Sequence, residues 1–243
     1  MTSIAVVTMT WARSNQERAL LLDSFASLER TGLPVYVADG GSDAGFVSAL
    51  SQFANFRVRK EGSNLVRQIR ASIDEASANG VDLVVYTEPD KKRFFDGHLR
   101  KFLVRALELP KSPLVVAARN QPAFDTFPVG QRRIEGLFNE LANFFLGSAG
   151  DFLYGPMILN CSVIHEYVAE VPEDLGWGWR TYLMSRCSTV GHQLEFYSGP
   201  FECPEEQRAE DDREARLHRL FQFSQNVAGL RRGLLDGARQ RIY

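Results

Sequence analysis

The sequence predicts an open, doubly wound α/β sheet followed by C-terminal helices. Short β-branched runs alternate with longer amphipathic segments through the first half of the chain. The first, fourth and fifth of these runs are almost continuously apolar, the pattern of parallel strands covered on both faces. Strand-helix alternation of this kind builds a layered sheet whose ligands bind at the carboxyl ends of the strands.

In order, "IAVVTMT" (4–10), "VYVAD" (35–39), "FRVRK" (56–60), "LVVYTE" (83–88) and "LVVAAR" (114–119) read as strands. Helical patterns fill about 14–31, 44–54, 63–79 and 95–108, the first with Leu20, Leu21, Phe25 and Leu28 on one side. Ser14 and Ser63 are expected N-caps, and Gly32 and Gly80 the C-terminal stops. Beyond residue 120 the pattern is less regular. "QRRIEGLFNELANFFLGSAG" (131–150) predicts an amphipathic helix with Ile134, Leu137, Phe138, Leu141 and Phe145 on one face. "DFLYGPMILN" (151–160) is extended and broken at Gly155-Pro156, a helix follows from about Trp177, and "HQLEFYSGPFECP" carries a late strand. From Pro204 the chain turns polar and predicts one or two helices, with Leu217, Leu220, Phe221 and Phe223 as the set that docks them. No internal repeat or convincing linker interrupts the chain.

Composition narrows the function classes. The 243 residues are 44% apolar and 24% charged with a net charge of -2, an ordinary globular balance that offers no electrostatic reason to expect nucleic acid as a partner. The three cysteines, Cys161, Cys187 and Cys203, have neither CxxC nor zinc-ligand spacing and are expected to be buried thiols in a reducing compartment. With no apolar run long enough to span a bilayer and no signal-peptide pattern, a cytoplasmic protein is expected.

Four features could carry chemistry. Glu88-Pro89-Asp90 places two carboxylates at the end of the fourth strand, where a divalent ion and a diphosphate could share them, although a solvated turn uses the same residues. "ADGGSD" (38–43) follows the second strand with a carboxylate, Asp39, and a glycine pair that lets backbone approach a ligand; a tight turn is the ordinary explanation. "EGSNLVRQIRASIDEA" carries Arg67 and Arg70 on a helix after a glycine, within reach of a phosphate or base edge unless they are surface charges. Glu173-Asp174 precede the aromatic "LGWGWRTYLM", where helix-start charge is the alternative.

Taken in order, these segments resemble the nucleotide-sugar glycosyltransferases of the GT-A fold, especially the large inverting family 2, over residues 4–200. "VVTMTWARSNQERALLLDSFASL" is similar to that family's first strand and helix, "VYVADGGSDAG" to its "VDDGSTD" segment, and "EGSNLVRQIRASIDEASANGVDLVVYTEPD" to the stretch ending in DxD. The resemblance implies a doubly wound, mostly parallel GT-A sheet in a catalytic domain spanning 1–204, with a nucleotide-sugar half at 1–120, an acceptor half at 121–204 and a helical extension at 205–243. It further implies that Thr8, Thr10, Asp39, Arg67, Glu88, Asp90 and Lys91 bind the nucleotide-sugar. Asp90 and Glu88 would hold Mn²⁺ or Mg²⁺, and Asp174 would be the general base. The family's first DxD carboxylate is a glutamate here, Gln68 stands where asparagine is usual, and the "QxxRW" element of processive synthases is absent. Lys91 and Lys92 either assist the metal or partly replace it; the metal is favoured, because an ion bridges both phosphates.

The implied reaction transfers a sugar from an NDP-sugar donor to the hydroxyl of a small-molecule, lipid-linked or glycan acceptor, with inversion. Asp151, Tyr154, Trp177 and Trp179 are acceptor-side candidates, the tryptophans as stacking faces unless they pack in the core. His165 and His192 have no partner spacing and read as structural. Two other functions compete: a sugar-phosphate nucleotidyltransferase, against which the glycine-free "TMTWARSNQ" counts, and a non-catalytic nucleotide-sugar or carbohydrate-binding module. The C-terminal helices could form a homodimer interface, cover the acceptor or rest peripherally on a membrane.

Overall fold

A computed structural model describes residues 2–108, 113–209 and 211–240. In chain order the elements are β1 (Ile4–Thr10), α1 (Asn15–Glu29), β2 (Val35–Asp39), α2 (Ala44–Leu50), β3 (Phe56–Lys60), α3 (Leu65–Ala78), β4 (Leu83–Tyr86), α4 (Lys92–Gly97), α5 (Leu99–Leu107), β5 (Leu114–Arg119), α6 (Gln121–Phe124), α7 (Val129–Leu146), β6 (Met157–Asn160), α8 (Cys161–Glu170), a 3₁₀ turn (Glu173–Gly178), α9 (Trp179–Thr189), β7 (Glu195–Gly199), a second 3₁₀ turn (Glu205–Gln207) and α10 (Arg213–Gln240). They form two compact units that are discontinuous in sequence, 1–110 with 156–173 and 111–155 with 174–243. The helix α10 therefore belongs to the body of the second unit, whereas the sequence suggested an extension. The last residues of that extension, 241–243, lie outside the described residues.

In the first unit the strand order is β3-β2-β1-β4-β6. The first four are parallel and β6 runs antiparallel to β4 with Tyr86 opposite Met157. The strands β1, β2 and β4 are buried along almost their whole length, as their apolar runs require. The helix α3 lies against β1 and β2, while Phe25 of α1 meets Phe56 of β3 edge to face at 5.5 Å. Ser14 caps α1 as expected, accepting from the Glu17 backbone N–H, while Glu17 reaches back to the Arg13 N–H. The cap of α3 is Asn64 rather than Ser63, its side-chain oxygen accepting from the Arg67 N–H at 3.0 Å. Asparagine is at least as good a cap, so residue type alone could not separate the two neighbours. Gly32 and Gly80 take the left-handed conformation at φ 71° and 75°, stopping their helices as expected. The helix expected over 95–108 is divided at His98 into α4 and α5, and Leu20 is exposed rather than on the buried side of α1.

In the second unit β5 and β7 pair in parallel, with Arg119 opposite Gly199. The buried stripe of α7 is Gln131, Glu135, Phe138, Ala142 and Leu146, which corrects the expected apolar face: Leu137 and Phe145 are exposed. The helix was turned because two polar side chains have a buried partner, described below. Helix α9 is buried on every side from Trp179 to Cys187. Its close partner is α10, which presents Gly229, Gly233 and Gly237 at successive turns. A Cβ on Gly233 would stand 2.5 Å from the Tyr182 carbonyl oxygen, and one on Gly237 would collide with the Thr189 hydroxyl. Across the same seam the Thr181 hydroxyl reaches the Asn226 carbonyl at 2.8 Å. Gly233→Val is expected to destabilise the protein by about 1–3 kcal/mol, the range for overpacking a tight contact. An unchanged denaturation midpoint would disprove the seam.

The three cysteines are buried and form no disulfide. Burial pushes the Cys187 thiol up to about 12 and the Cys161 thiol up to about 11, so neither ionises near neutrality to serve as a nucleophile. Among the described residues no helix is long and apolar enough to cross a membrane.

Candidate functional site

The first unit gathers the nucleotide-side candidates at the carboxyl ends of β1, β2 and β4. Thr10 and Asp39 end β1 and β2 at the same register position. Asp39 is fully buried. Its Oδ2 accepts from the backbone N–H groups of Gly41 and Ser42, both at 3.0 Å. Its backbone carbonyl accepts from Glu61 at 2.9 Å and Gly62 at 3.4 Å, so the loop entering α3 wraps the same turn. Two further bonds tie in the loop after β1: Gly40 N–H donates to the Thr10 carbonyl at 2.7 Å, and Ala12 N–H donates to Ser42 Oγ at 2.8 Å.

That clamp leaves two polar atoms over. Asp39 Oδ1 and Thr10 Oγ1 are buried without a hydrogen-bond partner among the described residues. A buried acceptor left unpaired costs about 1–3 kcal/mol, and two lie here at one strand-end position. A carboxylate there accepts only, which suits the N–H of a nucleobase.

Glycine is required next to Asp39 for steric reasons. A Cβ on Gly40 would stand 2.6 Å from Gln68 Nε2 and 3.2 Å from Trp11 Cβ, and Gly41 has φ 120°. Gln68 is buried and donates from Nε2 to the Gly62 carbonyl at 2.7 Å, so the residue that departs from the family pattern locks the α3 loop against the Asp39 turn. Trp11 leaves β1 half exposed with the Arg13 guanidinium 5.7 Å from its ring centre. Sequence reading did not single it out; an aromatic residue directly after a strand end on the ligand side was the available signal.

Arg67 is exposed on the first turn of α3, its Nη2 3.4 Å from Glu61 Oε1. Thr8 is corrected as a ligand-binding candidate. It is fully buried, and its hydroxyl donates to the Thr87 carbonyl at 2.8 Å, fastening β1 to the chain leaving β4. That strand ends at Tyr86 rather than at Glu88, so the two acids stand in the connection. Glu88 is nearly buried and Asp90 is exposed. The Lys92 ammonium is engaged with Asp23 of α1 at 2.6 Å.

Among the described residues no group of three or more His, Cys, Asp or Glu is arranged to hold a metal. Glu88 and Asp90 are carboxylates, the oxygen donors that Mg²⁺ and Mn²⁺ prefer, and dedicated all-protein cages are unusual for Mg²⁺.

The second unit holds the remaining candidates. Asp174 lies in the first 3₁₀ turn, and both its carboxylate oxygens accept from Arg232 Nη1 of α10, at 2.8 and 2.7 Å. Trp177 is half-buried with the Arg180 guanidinium 5.9 Å from its ring centre. Trp179 is corrected: at 1% exposure its ring is core and offers no face to a sugar. Tyr154 is likewise buried, stacked on Phe201 with centroids 4.8 Å apart.

Asp151 is also corrected, because its oxygens are already saturated. They accept from Arg119 Nε at 2.6 Å, Nη2 at 2.9 Å and backbone N–H at 3.1 Å, from Asn139 Nδ2 at 3.2 Å and from the Leu153 N–H at 3.3 Å. Arg119 Nη2 also donates to Glu135 Oε2 at 2.6 Å, and Gln131 Nε2 donates to Glu135 Oε1. Burial alone would raise the Asp151 carboxyl; the Arg119 charge and the hydrogen bonds outweigh it and hold the pKa below the usual carboxylate range. This cluster explains the orientation of α7.

The chain has a GT-A-type α/β architecture. Among solved structures it is similar to mannosyl-3-phosphoglycerate synthase from Rubrobacter xylanophilus, at 18% identity over 98% of this chain and 75% of that one, TM-score 0.64. It is similar to glucosyl-3-phosphoglycerate synthase from Mycobacterium tuberculosis in complex with Mn²⁺, UDP and phosphoglyceric acid, at 15% identity over 96% and 78%, TM-score 0.65. A CMP:2-keto-3-deoxy-manno-octonic acid synthetase bound to CTP matches at 12% identity over 82% and 90%, TM-score 0.55. No family model matches the sequence, and no curated protein matches it.

Proposed function

We propose that the chain is a glycosyltransferase that takes a sugar from an NDP-sugar and passes it to an acceptor hydroxyl. The observation that carries this is the Asp39 turn, in which one carboxylate oxygen is held by two backbone N–H groups and the other, with Thr10 Oγ1, is buried and unpaired at the ligand end of the sheet. Asp39 binds the base through an N–H, Gln68 and the Gly40-Gly41 backbone keep it in place, and Arg67 lies beside it. Lys91, Glu88 and Asp90 take the diphosphate end. Asp90 and Glu88 would hold a Mn²⁺ or Mg²⁺, which would supply charge neutralisation for the departing diphosphate. Asp174 takes the proton of the attacking hydroxyl, and the sugar is transferred with inversion. Trp177 is the acceptor-side residue of this reading. Glycosyltransferase neighbours solved with UDP, Mn²⁺ and phosphoglyceric acid support an NDP-sugar donor, a divalent metal and a small-molecule acceptor.

Asp39→Asn is expected to weaken NDP binding by roughly 1.5–3 kcal/mol, the worth of a hydrogen bond to a charged group. Calorimetry with UDP, GDP and CDP checks this, and equal affinity in wild type and variant for every nucleotide would remove Asp39 from the site. Asp90→Ala is expected to abolish any gain in NDP affinity on adding Mn²⁺; a gain that survives would place the metal elsewhere.

The synthetase neighbour and a cytidylyltransferase at TM-score 0.54 favour one second reading, a sugar-phosphate nucleotidyltransferase. The loop from Thr10 to Gln16 contains no glycine, and its backbone is occupied in the Ser42 and Glu17 contacts rather than forming a phosphate cradle. Release of NDP from an NDP-sugar panel with Mn²⁺ supports transfer. Pyrophosphate release from NTP plus a sugar phosphate supports the second reading.

A further inference from the structure

We propose, resting on the reading of Asp174 as the general base, that Asn64 and Arg70 of α3 are positioning residues that hold the backbone carrying its carboxylate. All the contacts involved lie inside the first unit, which contains α3, α8 and the chain as far as Glu173.

Helix α8 stops at Glu170, and the last carbonyl groups of a helix lack their partners four residues on. Arg70 approaches them from α3. Its Nη2 donates to the Val171 carbonyl at 2.8 Å and its Nε to the Val168 carbonyl at 3.4 Å. Its Nη1 stands 3.5 Å from Glu173 Oε1, a half-exposed pair that contributes little by itself. Arg70, expected to face a phosphate, a base edge or solvent, is engaged instead at the end of α8.

Capping a helix end accounts for those bonds and goes no further. Asn64 extends the hold beyond the helix. Its Oδ1 caps α3 by accepting from the Arg67 N–H, and its Nδ2 donates to the Glu173 carbonyl at 3.2 Å. That carbonyl belongs to the peptide group joining Glu173 to Asp174. The group is planar, so fixing its oxygen also fixes the direction in which the chain reaches the Asp174 Cα. Between the two anchored carbonyls, those of Val171 and Glu173, stands Pro172, whose ring locks its own φ. The approach to Asp174 is therefore held at 171, stiffened at 172 and held again at 173.

The same two turns of α3 serve the nucleotide end. Gln68 donates to the Gly62 carbonyl beside the Asp39 turn, and Arg67 follows the Asn64 cap. One helix thus fixes both the nucleotide loop and the residue before the base. Misplacing a catalytic group by about 1 Å costs on the order of 10²-fold in rate, so a loosened hold shows in turnover and not in nucleotide affinity.

Two variants test this. Asn64→Ser keeps a residue that caps α3 but is one bond too short to reach the Glu173 carbonyl, and Arg70→Met keeps the aliphatic stem. Transfer is read as NDP release from a panel of NDP-sugars with Mn²⁺, and NDP affinity by calorimetry. Each variant is expected to lose roughly 10–10²-fold in rate at unchanged NDP affinity. Combined with Asp174→Asn, each is expected to cost less than about threefold beyond Asp174→Asn alone, since the carboxylate it positions is gone. Additive losses, a parallel fall in NDP affinity, or the wild-type rate in both variants overturns the proposal while leaving Asp174 as the base. No NDP release by wild type, or the wild-type rate in Asp174→Asn, overturns the base and the proposal together. Hydrogen exchange needs no turnover. Amides over 173–178 are expected to exchange faster in both variants with those of β1 and β2 unchanged, and wild-type exchange over 173–178 overturns the hold. Should Arg70→Met fail to fold, Asn64→Ser decides by the same measurements.

Discussion

Arg119→Met is expected to destabilise the protein by about 3–5 kcal/mol, the cost of breaking a buried ion pair and leaving its partners charged. The Arg119 side chain is 1% exposed and donates to two carboxylates, Asp151 and Glu135. Its guanidinium also lies 4.7 Å from the ring centre of Phe124 and 4.4 Å from that of Phe127. Methionine can refill the volume and keep the aromatic packing, but it cannot neutralise two buried acids. Arg119→Lys keeps the charge and loses the bidentate fork, so its loss should be smaller. The pH dependence adds a sign that packing alone would not produce. In the wild type Asp151 sits below its ordinary pKa, so its contribution to stability is complete above about pH 4, the unfolded value, and is lost as pH falls through the folded one. Without the Arg119 guanidinium, burial, the largest influence on Asp151, is opposed only by hydrogen bonds from the residue 119 backbone N–H, Asn139 and Leu153, so the folded pKa should rise and the variant should lose stability as pH rises from about 4 toward neutrality. Denaturant titrations at acid and neutral pH check both claims. A variant within about 0.5 kcal/mol of wild type at neutral pH, or one with the wild-type slope, would show that the cluster does not carry this charge balance.

Asp174→Asn is expected to reduce glycosyl transfer on the order of 10²–10⁴-fold while leaving NDP affinity intact, because a general base contributes in the transition state and not to donor binding. The substitution conserves shape, and an amide oxygen can still accept from Arg232, so the turn before α9 should keep its conformation. Asp174 is well exposed, and its contact is with one nitrogen of one guanidinium, which leaves lone pairs on both oxygens for a hydroxyl proton. Arg232 thus orients the carboxylate without saturating it, in contrast to Arg119 and Asp151. Rates with and without the substitution, together with calorimetric NDP affinity, decide the assignment. Transfer at the wild-type rate would exclude Asp174 as the base. Equal loss of rate and of NDP affinity would instead make it a residue of the donor site.

The amino-acid sequence by itself determined the strands: β1, β2 and β5 are short runs of mostly β-branched and apolar residues, β3 is the more polar "FRVRK", and each forms within the limits it predicts. It also determined the strand-end turn: "ADGGSD" can adopt its conformation only with glycine at residue 41, and a carboxylate before it has backbone N–H groups to accept. What the sequence could not decide was which side of each later helix is buried. Apolar periodicity assigned Leu137 and Phe145 to the inside of α7, but a buried Arg119 required Glu135 and Gln131 there, and an unpaired buried charge outweighs the burial of a leucine. Trp179 read as a stacking face unless it packs in the core, and Tyr154 as an acceptor contact; the neighbours supplied by α10 and Phe201 place both inside. The helix α8 escaped notice because "CSVIHEYVAE" is short and has no strong stop signal. The glycines of α10 look like helix breakers until α9 is set against them, since the reason for a missing side chain lies in the backbone that occupies its place. Local residue types settle local conformation; the partner across the contact, distant in sequence, settles burial.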